Sequence, residues 1–129
     1  MNVILHRRGP RGFTIIELSI ALVIIAILAS LAVLTYNKYA NKARMTQAQT
    51  ALKHLQKTQT IYWTENGLYA DNVALLDFDP IKYDFYTITV ALDNTGLDFT
   101  GRAEGHGAMA GDRWHVTKES DPIHDTPNF

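Results

Sequence analysis

A chain of 129 residues with 12 Lys and Arg against 13 Asp and Glu has a formal net charge of −1. That length fits one small domain, and the charge withholds the cationic surface that non-specific binding of nucleic acid requires. The sequence has no cysteine, which excludes disulfides, thiol nucleophiles and thiolate metal sites, so location must be read from the N-terminal region.

Three bases, Arg7, Arg8 and Arg11, precede Gly12, and residues 18–37 carry no formal charge; within them, residues 18–34 are almost wholly apolar. At about 1.5 Å rise per residue, a helix of that length spans roughly 30 Å, the thickness of a bilayer's hydrocarbon core. The segment is predicted to cross a membrane as a helix, with the hydroxyls of Ser19 and Ser30 bonded back to helix carbonyls. The leading bases hold its N-terminal end in the cytoplasm and place the rest of the chain outside, although Lys38, Lys42 and Arg44 weaken that bias. A secretory signal cleaved near Ser30-Leu31-Ala32 has the same outline. Two residues argue against it. Glu17 places an acid at the mouth of the apolar run, where a signal peptide gains nothing from it and insertion makes an unpaired carboxylate costly. Gly12, with no side chain, lets the backbone lie extended against a protease, which marks Gly12-Phe13 as a scissile bond on the cytoplasmic side. Cleavage there leaves the apolar helix on the product.

The run Arg11-Gly12-Phe13-Thr14-Ile15-Ile16-Glu17-Leu18, followed by the apolar stretch, resembles the N-terminal motif of type IV pilins and of the pseudopilins of type II secretion, over roughly residues 7–43. The resemblance implies cleavage after Gly12 by a prepilin peptidase and N-methylation of the new terminal Phe13. Loss of Arg7, Arg8 and Arg11 leaves nine bases against 13 acids, a net −4. It also implies storage in the inner membrane as a single-pass precursor, extraction by a pilus or secretion assembly machinery, and self-assembly into a helical filament on the cell surface or, for a pseudopilin, in the periplasm. Charge arithmetic supports the role the family gives Glu17. An unpaired carboxylate beside hydrocarbon is expensive, and the Phe13 amine of a neighbouring subunit offsets much of that cost. The alternatives for Glu17 are snorkelling to the interface or neutralisation by a proton. Many major pilins carry a glycine within the helix and a proline near its end. Ala26 and Leu34 stand here instead, which predicts a more continuous helix and favours a minor or atypical subunit.

Beyond the membrane segment, residues 36–65 lack proline and glycine and are rich in good helix formers, so the helix is expected to continue. Ala48, Leu52, Leu55 and Tyr62 form one apolar stripe, with Lys53, Gln56 and Lys57 elsewhere, and Asn66-Gly67 supplies the stop. Residues 68–82 read as a loop with one helical turn at 72–76. A strand follows over 83–92, with Tyr86, Ile88, Val90 and Leu92 on one face. A turn at 93–96 leads to an antiparallel partner over 97–103, with Leu97 and Phe99 inward. Residues 105–111 read as a flexible connection, 113–118 as a third strand around Trp114 and Val116, and the tail from Glu119 as irregular. The expected class is α+β, a long N-terminal helix packed on a small three- to four-stranded antiparallel sheet. The expected division is a basic leader (1–12), a membrane or assembly helix (13–37) and a head (38–129).

No arrangement in the sequence points to catalysis. His54, His106, His115 and His124 form no ligand pair at metal spacing, and Asp112, Glu119, Asp121 and Asp125 lack calcium-loop spacing, so they read as a solvated acidic tail. No metal, cofactor or nucleic-acid partner is expected. Tyr36, Tyr39, Tyr62, Trp63 and Tyr69 read as packing and membrane-interface residues rather than a stacking platform. The leading function is a structural pilus subunit. Its rivals are a secretion pseudopilin and, from another class, a membrane-anchored ligand-binding protein that never assembles.

Overall fold

The structure is a computed structural model that describes residue 9 and residues 12–129. The leader bases Arg7, Arg8 and Arg11 lie outside the described residues. One helix, α1, runs from Ile15 to Asn66, 52 residues without a break. Ala26 and Leu34, where the related pattern has glycine and proline, keep the ladder intact, as the sequence predicts. Gly67 ends the helix at φ +76°, the left-handed conformation open to glycine, and its N–H closes on the carbonyl of Trp63 at 2.8 Å.

The chain divides into two compact units, one ending at Lys38 and one from Tyr39 to Phe129. In the first, α1 presents its apolar side chains on every side, and none of its most apolar window is buried. An isolated helix that is greasy all round has no stable place in water on its own. Its hydroxyls are spent internally: Ser19 and Ser30 donate to the carbonyls of Ile15 and Ile27 at 2.9 and 2.7 Å.

In the second unit, strands β1 (Tyr86–Leu92), β2 (Phe99–Gly105), β3 (Arg113–Thr117) and β4 (Ile123–His124) form an antiparallel sheet in sequential order. The stripe Ala48, Ala51, Leu52 and Leu55 of α1 is fully buried and shares a core with Tyr86, Ile88, Phe99, Ala103, Trp114 and Val116 from one face of that sheet. Two buried or half-buried glutamines fasten the helix to its surroundings. Gln59 exchanges a pair of 2.8 Å bonds with the backbone of Ala70, and Gln56 donates to the carbonyls of Thr117 and Ser120 at 2.8 and 3.0 Å.

Gly101, on the buried face of β2, sets how closely helix and sheet approach. A Cβ there would overlap Cδ2 of fully buried Leu55 and stand 3.1 Å from Cγ1 of Val116. Gly101→Ala is expected to destabilise the head by about 1–3 kcal/mol through this overpacking, read as a lower midpoint in chemical unfolding followed by tryptophan fluorescence. An unchanged midpoint would mean that the two layers separate freely.

Several predicted elements differ from the structure. The first strand starts at Tyr86, because Pro80–Lys82 forms a 3-10 turn capped by Asp79, whose Tyr83 cap accepts the Tyr86 N–H at its carbonyl. The helical turn in the preceding loop is the 3-10 turn Val73–Leu75, capped by the side chain of Asn72. Leu97 is 54% exposed rather than inward. Asp93 accepts the N–H groups of Leu97 and Asp98 at 3.1 Å, which carries the hairpin loop to Asp98 and delays the strand to Phe99. The connection read as flexible is a fitted turn: Met109 is fully buried, and Gly105 leaves room for the Met109 carbonyl. The tail is not wholly irregular, since Ile123 pairs with His115 and His124 with Trp114.

Candidate functional site

The helix start is built by four consecutive residues, Thr14-Ile15-Ile16-Glu17. Thr14 lies just before the helix, and its carbonyl accepts the N–H of Leu18 at 3.1 Å. Glu17 Oε2 accepts both the Thr14 N–H at 2.8 Å and the Thr14 hydroxyl at 3.0 Å, while the hydroxyl oxygen accepts the Glu17 N–H at 3.2 Å. This is a reciprocal capping box, and it satisfies donors that a helix start otherwise leaves open. The acid also lies where the helix dipole favours negative charge. Reasoning about Glu17 as an isolated charge missed this role for Thr14, although the pattern Thr-x-x-Glu was there to be read.

The box leaves Gly12 and Phe13 outside the helix. Both are exposed, Phe13 at 91%, and among the described residues nothing approaches Gly12 within 4 Å of a Cβ position. Among the described residues, Glu17 Oε1 has no hydrogen-bond partner. One end of the apolar helix thus carries an accessible peptide bond and a carboxylate with one oxygen engaged and one available.

The head holds a second polar centre, which no sequence motif announces. Asp112 is fully buried. Its Oδ2 accepts the hydroxyl of Tyr86 at 2.5 Å and Nε1–H of Trp114 at 2.9 Å; its Oδ1 accepts Nε2–H of His124 at 2.6 Å and the hydroxyl of Thr126 at 2.7 Å. Burial pushes the carboxyl upward, but the four donors outweigh it and hold Asp112 below the ordinary 3.8. Burial, then the hydrogen bond and charge of Asp112, push the Tyr86 phenol well above its ordinary 10.0.

The expectation that Asp112, Glu119, Asp121 and Asp125 form a solvated acidic tail therefore fails for Asp112. The other three go separate ways: Asp121 faces Lys53 at 3.6 Å, Asp125 pairs with His115 at 2.6 Å, and Glu119 is exposed. His54 lies against the Phe78 ring at 5.3 Å, and His124 stacks on Trp114 at 4.1 Å. Among the described residues no group of three or more acids and histidines is placed to hold a metal ion. Of the five singled-out aromatics, Tyr62 and Tyr69 pack against the core, Trp63 stacks on Tyr69 at 6.4 Å, and Tyr36 and Tyr39 are about 70% exposed. A groove between α1 and the following loop is lined by His54, Lys57, Thr58, Ile61, Glu65 and Asp77. The hydroxyl of Thr58 in this groove is committed to the helix carbonyls of His54 and Leu55.

The arrangement is that of a small α+β head and a helix whose first half exposes apolar side chains on every side. Two family models match the sequence. The prokaryotic N-terminal methylation motif matches residues 7–33, and a family described as "Type IV minor pilin ComP, DNA uptake sequence receptor" matches residues 35–114. The second match covers more than half of the chain, which belongs to this type IV minor pilin family.

Curated relatives agree in kind. The chain is 35% identical over 81 residues to the type IV major pilin protein PilA of Myxococcus xanthus, covering 63% of this chain and 37% of that protein. It is 35% identical over 69 residues to the fimbrial protein EcpC of Eikenella corrodens (53% and 45%), and 32% identical over 62 residues to the type IV major pilin protein PilE1 of Neisseria gonorrhoeae (48% and 29%). The chain thus spans less than half the length of these relatives. A solved type IV pilin from Shewanella oneidensis aligns with 64% of this chain and 86% of its own at 15% identity and a TM-score of 0.46.

Proposed function

We propose that this chain is a structural, non-catalytic subunit of a type IV pilus, stored in the inner membrane with its N-terminus in the cytoplasm and assembled through α1. The observation that carries this reading is the apolar first half of α1, exposed on every side and interrupted by a single acid at its start. In a bilayer the helix is solvated by lipid. In a filament it is solvated by copies or relatives of itself, at roughly 25 cal/mol for each Å² of apolar surface withdrawn from water.

Within this reading a prepilin peptidase removes the basic leader at the exposed Gly12-Phe13 bond, Phe13 is N-methylated, residues 13–37 form the assembly helix, and residues 38–129 make up the surface-exposed part. The Phe13 amine of one subunit meets Glu17 of the next, where Oε1 is available while Oε2 holds the capping box. An inner-membrane assembly machinery extracts the processed chain.

Mass analysis of the N-terminus of the protein isolated from cells tests the reading. The expected first residue is Phe13, heavier by one methyl group. A terminus at Met1 or Val33 would overturn it in favour of a simple anchor or a secretory signal. A secretion pseudopilin shares the same processing, and imaging separates the two, because a pilus subunit predicts surface filaments that disappear on deletion of its gene.

The description of the matched family names a DNA uptake sequence receptor. Residues 39–129 hold eight bases against 12 acids, a net balance that supplies no non-specific attraction to a phosphate backbone.

A further inference from the structure

The two oxygens of Asp112 serve different parts of the head. Oδ2 is bound by Tyr86 and Trp114, both in the core, while Oδ1 is bound by His124 and Thr126, both in the C-terminal segment 119–129. No residue from 117 to 129 is buried, whereas the buried core ends at Val116. Besides Oδ1, the segment is held only by polar ties: the short β3–β4 pairing, two bonds to the backbone of Arg113, the His115–Asp125 pair, the exposed Lys53–Asp121 pair, and the bonds of Ser120 to Gln56 and Thr117. The Asp125 N–H reaches the Arg113 carbonyl at 2.9 Å, and the Arg113 N–H reaches the Thr126 hydroxyl at 3.0 Å. Its one close ring contact is His124, nearly parallel to the indole of Trp114 at 4.1 Å.

We propose that residues 119–129 form a polar strap, fastened at Asp112 Oδ1, that opens and closes as a unit while the rest of the head stays folded. Opening gives up little apolar burial, and the carboxylate oxygen it frees is hydrated by the entering water, while Oδ2 keeps both core partners. Segments with few buried apolar contacts and exchangeable polar ones open at the low end of a protein's stability range. What the strap covers is the outer edge of β3, with the N–H and C=O of Arg113, and one face of Trp114. The inference rests on the head alone and stands apart from the assembly reading.

Hydrogen exchange on the full chain in detergent micelles tests it. The Asp125 amide is expected to exchange at least about tenfold faster than the central amides of β2, and His124→Ala is expected to accelerate Asp125 further while β2 is unchanged. A chain ending at Glu119 should keep β1–β2 protection and show Trp114 emission shifted to longer wavelength. Equal exchange of Asp125 and β2, or loss of β1–β2 protection in the shortened chain, would show one cooperative unit and overturn the proposal.

Discussion

In an Asp112→Ala chain the head is expected to lose about 3 kcal/mol or more of unfolding free energy. The Tyr86 hydroxyl and the Trp114 indole N–H both lie in the core, 2% and 6% exposed. They are left without their acceptor, and each buried donor so orphaned costs about 1–3 kcal/mol. Asp112→Asn costs less, because its carbonyl oxygen still accepts from part of the set. The pH dependence has a definite sign. Asp112 is held below 3.8 in the folded state, so the stability it confers is fully present above the unfolded value and is lost as pH falls through the depressed folded value. Tyr86 is raised above 10.0; its contribution is complete below that value and is lost as pH rises through the higher folded one. Across the neutral range neither group titrates. Unfolding midpoints of wild type and Asp112→Ala should therefore converge on acidification and stay parallel between about pH 5 and pH 9. A constant difference down to the acid limit would mean that the carboxylate charge contributes nothing.

What the sequence disclosed follows the range of the interactions involved. The helix from Ile15 to Asn66, its stop at Gly67 and the burial of Ala48, Leu52 and Leu55 depend on propensity and on spacings within a few turns, and all were legible. The strands around Tyr86, Ile88, Trp114 and Val116 were legible for the same reason. Errors gathered where side chains cap or cross over. Asp93 ties down the amides of Leu97 and Asp98, so a residue with the right parity for the core ends outside. The two-residue strand β4 has no periodicity to detect and exists because His124 and Thr126 reach Asp112, 12 and 14 positions away. A buried acid with four donors looks, in sequence, like one more member of an acidic tail. At the helix start the reading was incomplete, because the hydroxyl of Thr14 was not counted as a partner of Glu17.

That omission matters for the most consequential functional test, since the capping box offers Glu17 a reason to exist that involves no neighbour. Substitution separates the two roles. Gln at the third helical position still closes a capping box, so Glu17→Gln keeps the local geometry and removes only the charge. Thr14→Val does the reverse, removing a cap worth about 1 kcal/mol while leaving the carboxylate in place. If Glu17 pairs with the amine of an adjacent Phe13, Glu17→Gln leaves an uncompensated ammonium among apolar helices, at a cost of about 3–5 kcal/mol for each broken pair. The expected result is processed subunit that accumulates in the membrane, with sheared filaments reduced about tenfold or more, while Thr14→Val assembles within about twofold of wild type. Wild-type filament yield from Glu17→Gln would remove the pairing. Loss in Thr14→Val with Glu17→Gln unaffected would assign the acid to the helix start alone.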